Sequence, residues 1–529
     1  MPTDCISYQT SGYFSQLMQD YLDQKSELKP LYNHFPTLEN FEKQIIEKAK
    51  NFDNANRIPL VNTLKKQYQH IEISDATNQN IELLALANTF TVTTGHQLNL
   101  FSGPLYFLYK IISTINLTKE LKLKYPTNNF VPIYWMATED HDFEEINYFN
   151  FKGKKFRWNK ESTGPVGRLS TEGLAEFLEI YAAELGSSTN ASFIKKLFED
   201  AYLKHENLAD ATRFLANSLF AQYGLVILDA DDANLKRAFI PYIKEELEQQ
   251  TSFKTVQETI EQLKEYTVQV NPREINLFYI EDDLRERIIF ESDRYDVNNT
   301  KISFSKEEIL KLLENNPENF SPNVIMRPLY QEIILPNLCY IGGGGEIAYW
   351  LELKSFFDAV NITFPMLLVR NSVLLATEKQ GKKADNLGLS WSDLFTKSAR
   401  LINVITHKLS PFPIDLSPQK EILEKQFEYL YELAQQTDKS FSGAVKAQEV
   451  KQKKGLDNLE KRLLKAQKRK LDSELQRVTD LQFELFPNQS LQERHTNFSE
   501  FYLEKGEQLI PLLIQKLKPL ETNFNIIMI

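Results

Sequence analysis

Three short segments of this chain carry polar side chains at spacings suited to chemistry on small anionic or amine-bearing molecules. The first is Gly95-His96-Gln97, with Asn99 behind it. Glycine permits close backbone approach, and a histidine donor beside helix-terminal amides suits a phosphate or carboxylate; a plain strand-to-helix turn with a surface histidine would read the same way. The second is Glu139-Asp140-His141-Asp142. Two carboxylates about 6 Å apart at an effective dielectric of 20 repel by roughly 3 kcal/mol, enough to raise one pKa or recruit a cation. The run reads as an amine-binding or general-base cluster, as a metal site of His141 with Asp140 or Asp142, or as an acidic helix start. The third is the glycine run Gly342, Gly343, Gly344 and Gly345 leading to Glu346 and Tyr349. Four glycines cost backbone entropy, which a sharp turn or a close approach to a ligand explains; the spacing matches neither the dinucleotide fingerprint nor the phosphate loop.

Arginines stand at further element ends. Arg327 and Gln331 open a helical pattern, and Arg370-Asn371 close an apolar run, with an internal salt bridge as the alternative for Arg370. Arg494 lies in Gln492-Glu493-Arg494, with Asn497 beyond, which reads as a hinge or a helix cap.

Groups this far apart in sequence need a scaffold that gathers them. Phe90–Thr94 is a β-branched run ending at Gly95, a polar loop follows to Gly103, and Pro104 opens a helix with Leu105, Leu108, Ile111, Ile112 and Ile115 on one face. Val131–Ala137 is almost continuously apolar, as a strand covered on both faces would be. Strand, helix and strand make a βαβ unit, and in open parallel sheets ligands bind beyond the carboxyl ends of the strands, where Gly95-His96 and Glu139–Asp142 fall. Gly224–Asp229, Leu338–Ile341 and Met366–Val369 extend the sheet to about five strands. Hairpin-like patterns near 148–205 and 250–320 look inserted, residues 1–85 read as helical, and 491–529 as a helical return to an 86–375 core. Between 376 and 490 a helical domain is expected. Leu464, Leu471, Val478 and Leu485 stand seven apart there, and an antiparallel hairpin turning between Ser440 and Gly455 would partner that stripe.

With 529 residues, 42% apolar and 25% charged, the chain has material for two to four folding units. A net charge of −11 disfavours nucleic acid as a partner, and the nine Lys or Arg between Lys451 and Lys470 read as a solvated helix face. No run reaches the roughly 18 apolar residues of a membrane span, and Cys5 and Cys339 give no disulfide framework and no metal knuckle, so a cytoplasmic protein without a metal is expected.

Together, TTGHQLNLFSGPLYFLYKIIS (93–113), VPIYWMATEDHDFEEIN (131–147), SPNVIMRPLYQEIILPNLCYIGGGGEIAYWLELK (321–354) and QERHTN (492–497) closely resemble the cysteine-adding enzymes of bacillithiol biosynthesis, the cysteine ligase family. The resemblance implies an α/β fold: a Rossmann-like, nucleotidyltransferase-type parallel-sheet core with connecting-peptide insertions and an α-helical coiled-coil domain that promotes homodimerisation. The implied reaction joins the carboxyl of cysteine to the amine of glucosaminyl-malate. A working mechanism for that reaction has Gly95, His96 and the glycine loop receiving a phosphate or carboxylate, Asp140 and Asp142 holding an ammonium, His141 accepting its proton, and Arg327 and Arg370 pairing with malate carboxylates. Gln97, Asn99, Glu139, Gln331, Gly343, Gly344, Glu346, Tyr349 and Asn371 are expected to line the substrate site. Gly95-His96 is similar to the second half of the HxGH motif of adenylating enzymes, with Thr93 in place of its first histidine. ATP or ADP is admitted as a ligand without being required by this half-motif, and Arg494 marks a second place for a nucleotide.

Overall fold

A computed structural model describes residues 4–529. The chain forms two compact units, Met1–Leu375 with Leu491–Ile529, and Ala376–Ser490.

The first unit is built on five strands, β1 (Thr89–His96), β2 (Asn129–Met136), β3 (Val226–Asp229), β4 (Asn337–Gly342) and β5 (Met366–Val369). They are parallel and ordered β5-β4-β1-β2-β3. Every residue of β1 is buried; its β-branched threonines alternate with Phe90 and Val92, and the Thr93 and Thr94 hydroxyls are satisfied by donating to Asn337 Oδ1 and Ile341 O. The expected end at Thr94 is too early: Gly95 and His96 still pair, opposite Trp135 and Met136. Helix α1 (Tyr106–Lys124) crosses from β1 to β2 and buries most of its length, α2 (Met326–Ile334) precedes β4, and α3 (Gly344–Leu351) follows it. Because the chain runs outward from β1 to β3 on one side and through β4 to β5 on the other, the strand order reverses between β1 and β4. The carboxyl ends of those two strands open a crevice there, the usual ligand position in such sheets.

Each insertion carries hairpin strands, those of the first followed by helices Leu174–Leu185 and Thr189–Tyr202. Tyr148–Phe151 pairs with Lys154–Arg157, burying Phe149, Phe151 and Phe156. Leu277–Glu281, Leu284–Glu291, Arg294–Val297 and Ser303–Phe304 form an antiparallel meander joined by Phe320–Pro322. The two ends of the chain differ from the helical expectation. Asp4–Ser7 is a strand pairing antiparallel with another, Asn523–Met528, in a small sheet completed by Ser372–Ala376. Short runs such as Asn523–Met528 carry too few residues for a period to register.

In the second unit, α4 (Ser417–Ala434) packs along α5 (Lys439–Lys470), and α6 (Asp472–Leu485) follows a break at Leu471. The hairpin turns at 435–438, ahead of the expected Ser440–Gly455, because Asp438 caps α5 by accepting from Ser440 N at 2.8 Å. Gly443 and Gly455 then ride inside α5, where no neighbour among the described residues meets them. Lys453 pairs with Glu424 and Glu449, and Lys420 with Asp457 and Glu460, so part of the basic run serves the hairpin.

Candidate functional site

The crevice at the β1–β4 reversal opens into a cavity of about 1250 Å³. Its lining carries Lys110, Arg273, Arg285, Arg287, Arg327, Arg370 and Arg494 against Glu139, Asp140, Glu145 and Glu346, seven cations to four carboxylates. An anionic ligand suits that excess.

His96, at the end of β1, is buried among Tyr106 and Phe107, and its Nε2 has no hydrogen-bond partner among the described residues. Burial, reinforced by the Lys110 charge, holds its pKa well below the ordinary histidine value, so the imidazole is neutral. Behind it the chain passes through the left-handed region at Phe101 (φ 47°), Ser102 (φ 66°) and Gly103 (φ 61°). Asn497 makes that loop tenable: its Nδ2 donates to Phe101 O at 2.8 Å and Gly103 O at 2.7 Å, while its Oδ1 accepts from Ser499 N at the start of the next helix. The cap reading of the 492–497 motif is therefore right. Thr93 is buried and donates to Asn337 Oδ1 at 2.8 Å, a bond across strands that keeps it from the cavity.

The acidic run does not act as one cluster. Glu139 turns to the buried Lys236 at 2.5 Å, which also pairs with Asp231 at 3.1 Å, so the cation demanded by repulsion comes from the fold. Burial pushes the Glu139 carboxyl up and Lys236 opposes it. Asp140 faces the cavity, where its Oδ2 accepts from Gln97 at 2.9 Å; its Oδ1 caps the backbone N–H groups of His141 and Asp142. His141 and Asp142 lie outside the cavity lining. Arg285 donates to His141 Nδ1 at 2.6 Å, and burial together with Arg285 lowers the pKa of that ring. A proton-accepting role for His141 thus lacks a free nitrogen at the cavity, and an ammonium clamp by both aspartates lacks Asp142.

The glycine loop is likewise partly self-satisfied. Gly343 N donates to Glu346 Oε2 at 2.7 Å, Tyr340 OH to Glu346 Oε1 at 2.9 Å, and Lys110 reaches Glu346 Oε2 at 2.7 Å and Gly95 O at 2.7 Å. Burial raises the Glu346 carboxyl, but Lys110 and these donors outweigh it and hold the group below its usual range. Lys110 and Glu346 thus tie β1 to the turn after β4. Gly342 is the sterically required glycine, since a Cβ there would sit 2.9 Å from Glu346 Cβ and 3.0 Å from Tyr340 Cε1.

On the cavity wall, two arginines have a buried nitrogen without a partner among the described residues. Arg370 pairs with buried Glu493 at 2.8 Å and donates to Asn371 O, yet its Nε is unpartnered. Both readings of this residue hold together, a salt bridge and a place on the cavity wall. Arg327 donates to Gln331 from Nη1 and interacts with the Tyr349 hydroxyl, and its buried Nη2 lacks a partner of hydrogen-bond geometry among the described residues.

The cavity therefore collects Gly95, His96, Gln97, Asn99, Glu139, Asp140, Arg327, Gly343, Glu346, Tyr349, Arg370 and Arg494. It does not collect Gln331, Gly344 or Asn371; Asn371 is spent on Ser113 and Lys518 O, and Gly344 lines a smaller neighbouring pocket. Lys110, Arg273, Arg285 and Arg287 went unnoticed in the sequence. Lys110 sits on an otherwise apolar helix face, which is a usable signal; Arg285 and Arg287 lie in a hairpin strand whose register decides which side faces the cavity, and Arg273 in the loop before that hairpin.

Two family models cover the chain: residues 1–371 match the description "Bacillithiol biosynthesis BshC, N-terminal Rossmann-like domain", and residues 373–529 match "Bacillithiol biosynthesis BshC, C-terminal coiled-coil domain". Among similar proteins, one from Flavobacterium johnsoniae is 86% identical over 529 residues, covering 100% of both chains. One from Flavobacterium psychrophilum is 65% identical, covering 100% of this chain and 99% of its own. One from Bacillus cereus is 27% identical, covering 94% and 95%. Each carries the name "Putative cysteine ligase BshC".

Proposed function

The chain belongs to the bacillithiol biosynthesis BshC family, and from that premise we propose that it is a cysteine ligase joining the carboxyl of cysteine to the amine of glucosaminyl-malate. One observation supports this reading above others: a single cavity combines two buried guanidinium nitrogens without partners, a neutral histidine and an accessible carboxylate. Arg327 Nη2 and Arg370 Nε suit the two malate carboxylates, because charge-assisted bonds in a buried site are strong. Asp140 holds the attacking ammonium, and His96 Nε2 takes the proton that the amine must lose before its nitrogen can attack the cysteine carboxyl.

Condensing a free carboxylate with an amine releases water and is uphill in water, so the carboxyl needs activation. The cationic excess of the cavity fits a phosphate-bearing activator such as ATP, held by Arg273, Arg287 and Arg494 on its wall. In the same reading the protein is a cytoplasmic homodimer joined through the helical hairpin, where Ile422, Tyr429, Val450 and Leu459 are exposed; light scattering gives the mass.

The test is product formation from cysteine and glucosaminyl-malate, with and without ATP, followed by mass spectrometry. His96→Ala and Asp140→Asn should each reduce turnover by about 10²- to 10⁴-fold. Unchanged turnover in both variants rejects the site, and full turnover without ATP rejects that activator.

A further inference from the structure

Arg327 is a buried cation enclosed by aromatic faces. Its guanidinium carbon lies 5.7 Å from the Trp135 ring centre, 5.6 Å from Tyr340 and 5.8 Å from Trp350. Ring faces attract a cation but do not choose which of its nitrogens turns to the cavity. Gln331, one helical turn along α2, makes that choice: Arg327 Nη1 donates to Gln331 Oε1 at 3.0 Å.

The orientation of a glutamine amide has to be inferred from its partners. Here a carboxylate fixes it. Gln331 Nε2 donates to Glu332 Oε1 at 3.0 Å, and an ionised carboxylate only accepts, so the amide oxygen must point at Arg327. Glu332 also accepts from Asn337 Nδ2 at 2.7 Å and from Lys48 Nζ at 2.7 Å, both ends of that ion pair being 1% exposed or less. Lys48 is in turn held by Thr363 O at 3.1 Å. The result is a buried line, Lys48 to Glu332 to Gln331 to Arg327, ending on a guanidinium nitrogen with no partner among the described residues.

The neutral member of the line matters. A carboxylate beside Arg327 would neutralise it, whereas an amide hands on direction and leaves the positive charge unspent. We infer that Gln331 is a positioning residue that sets Arg327 to receive a carboxylate of the acceptor substrate, and so gives the enzyme its preference for a malate-bearing amine over a bare amino sugar. This rests on the reading of the cavity given above, and it replaces direct substrate contact as the role of Gln331.

Calorimetric titration of the full-length protein with glucosaminyl-malate, and with methyl glucosaminide as the carboxylate-free comparison, provides the test. Gln331→Glu offers Arg327 a charged partner of nearly the same shape, while setting its other oxygen against the Glu332 carboxylate. The positioning role predicts an affinity for glucosaminyl-malate lower by about 10- to 100-fold, the worth of one charge-assisted bond, with methyl glucosaminide within twofold of wild type. Gln331→Met removes both hydrogen bonds without adding charge and should weaken glucosaminyl-malate by about 10-fold, covering the case in which a second buried carboxylate prevents folding. Wild-type affinity for glucosaminyl-malate in either variant, or equal losses for both ligands, overturns the inference. Arg327→Met separates the two levels: if it leaves glucosaminyl-malate affinity intact, the carboxylate site itself is wrong, whereas a loss there with none in the Gln331 variants removes only the positioning role.

Discussion

Replacing Asn497 should unfasten the loop behind His96, and its cost follows from the bonds it makes. Asn497 is fully buried and holds two carbonyls of a segment in which Phe101 and Ser102 adopt left-handed backbone angles. Each buried carbonyl left without a donor costs about 1–3 kcal/mol, and losing the cap on Ser499 N adds about 1 kcal/mol. Allowing for relaxation, Asn497→Ala should lower the stability of the Rossmann-like unit by about 3–5 kcal/mol. Asn497→Asp keeps the cap but sets a carboxylate against two carbonyl oxygens, so it should be at least as damaging despite its matching shape. Urea unfolding followed by tryptophan emission measures this once Trp391 is changed to Phe, because Trp135, Trp158 and Trp350 all lie in that unit and Trp391 in the other. A loss below about 1 kcal/mol for the alanine variant, or an aspartate variant milder than alanine, refutes the reasoning.

Two further outcomes are expected. Glu352 accepts from Gln269 N at 2.7 Å and Val270 N at 3.2 Å, and burial pushes its carboxyl up to about 7 from 4.5. The folded protein then holds this proton more tightly than the unfolded chain, so stability from this group is highest below about pH 4.5, falls as pH rises to about 7, and is level above. After discounting for partial solvent screening the loss is about 2 kcal/mol, and it should appear as the difference between wild type and Glu352→Gln across pH 5 to 8; parallel curves count against it. Lys236→Met strands Glu139 and shortens the support of Asp231, which should cost about 3–5 kcal/mol, with Glu139→Gln in the same chain restoring much of it; a second change that adds further loss contradicts the ion-pair account.

The two units sit apart in how legible they were. All five core strands were visible as apolar or β-branched runs, because a strand covered on both faces carries side chains that can be buried along its whole length. The hairpin turn was not, since its position depends on Asp438 acting as a cap, and any of several nearby polar residues could have done so. The strands Asp4–Ser7 and Asn523–Met528 exist only as each other's partners, and a pairing across the full length of the chain leaves no local period.

For the site, the sequence by itself determined which residues stand at strand ends, and so that Gly95-His96, Glu139-Asp140, Gly343 and Arg370 would meet. Only the tertiary structure decided which of those groups are already spent. Glu139 is taken by Lys236, Gly343 N by Glu346, and His141 by Arg285, while His96, Arg327 and Arg370 keep an unpartnered nitrogen among the described residues. The physical reason is that position along a strand is set by local hydrophobic pattern, whereas hydrogen-bond satisfaction of buried groups is settled between segments far apart in the chain.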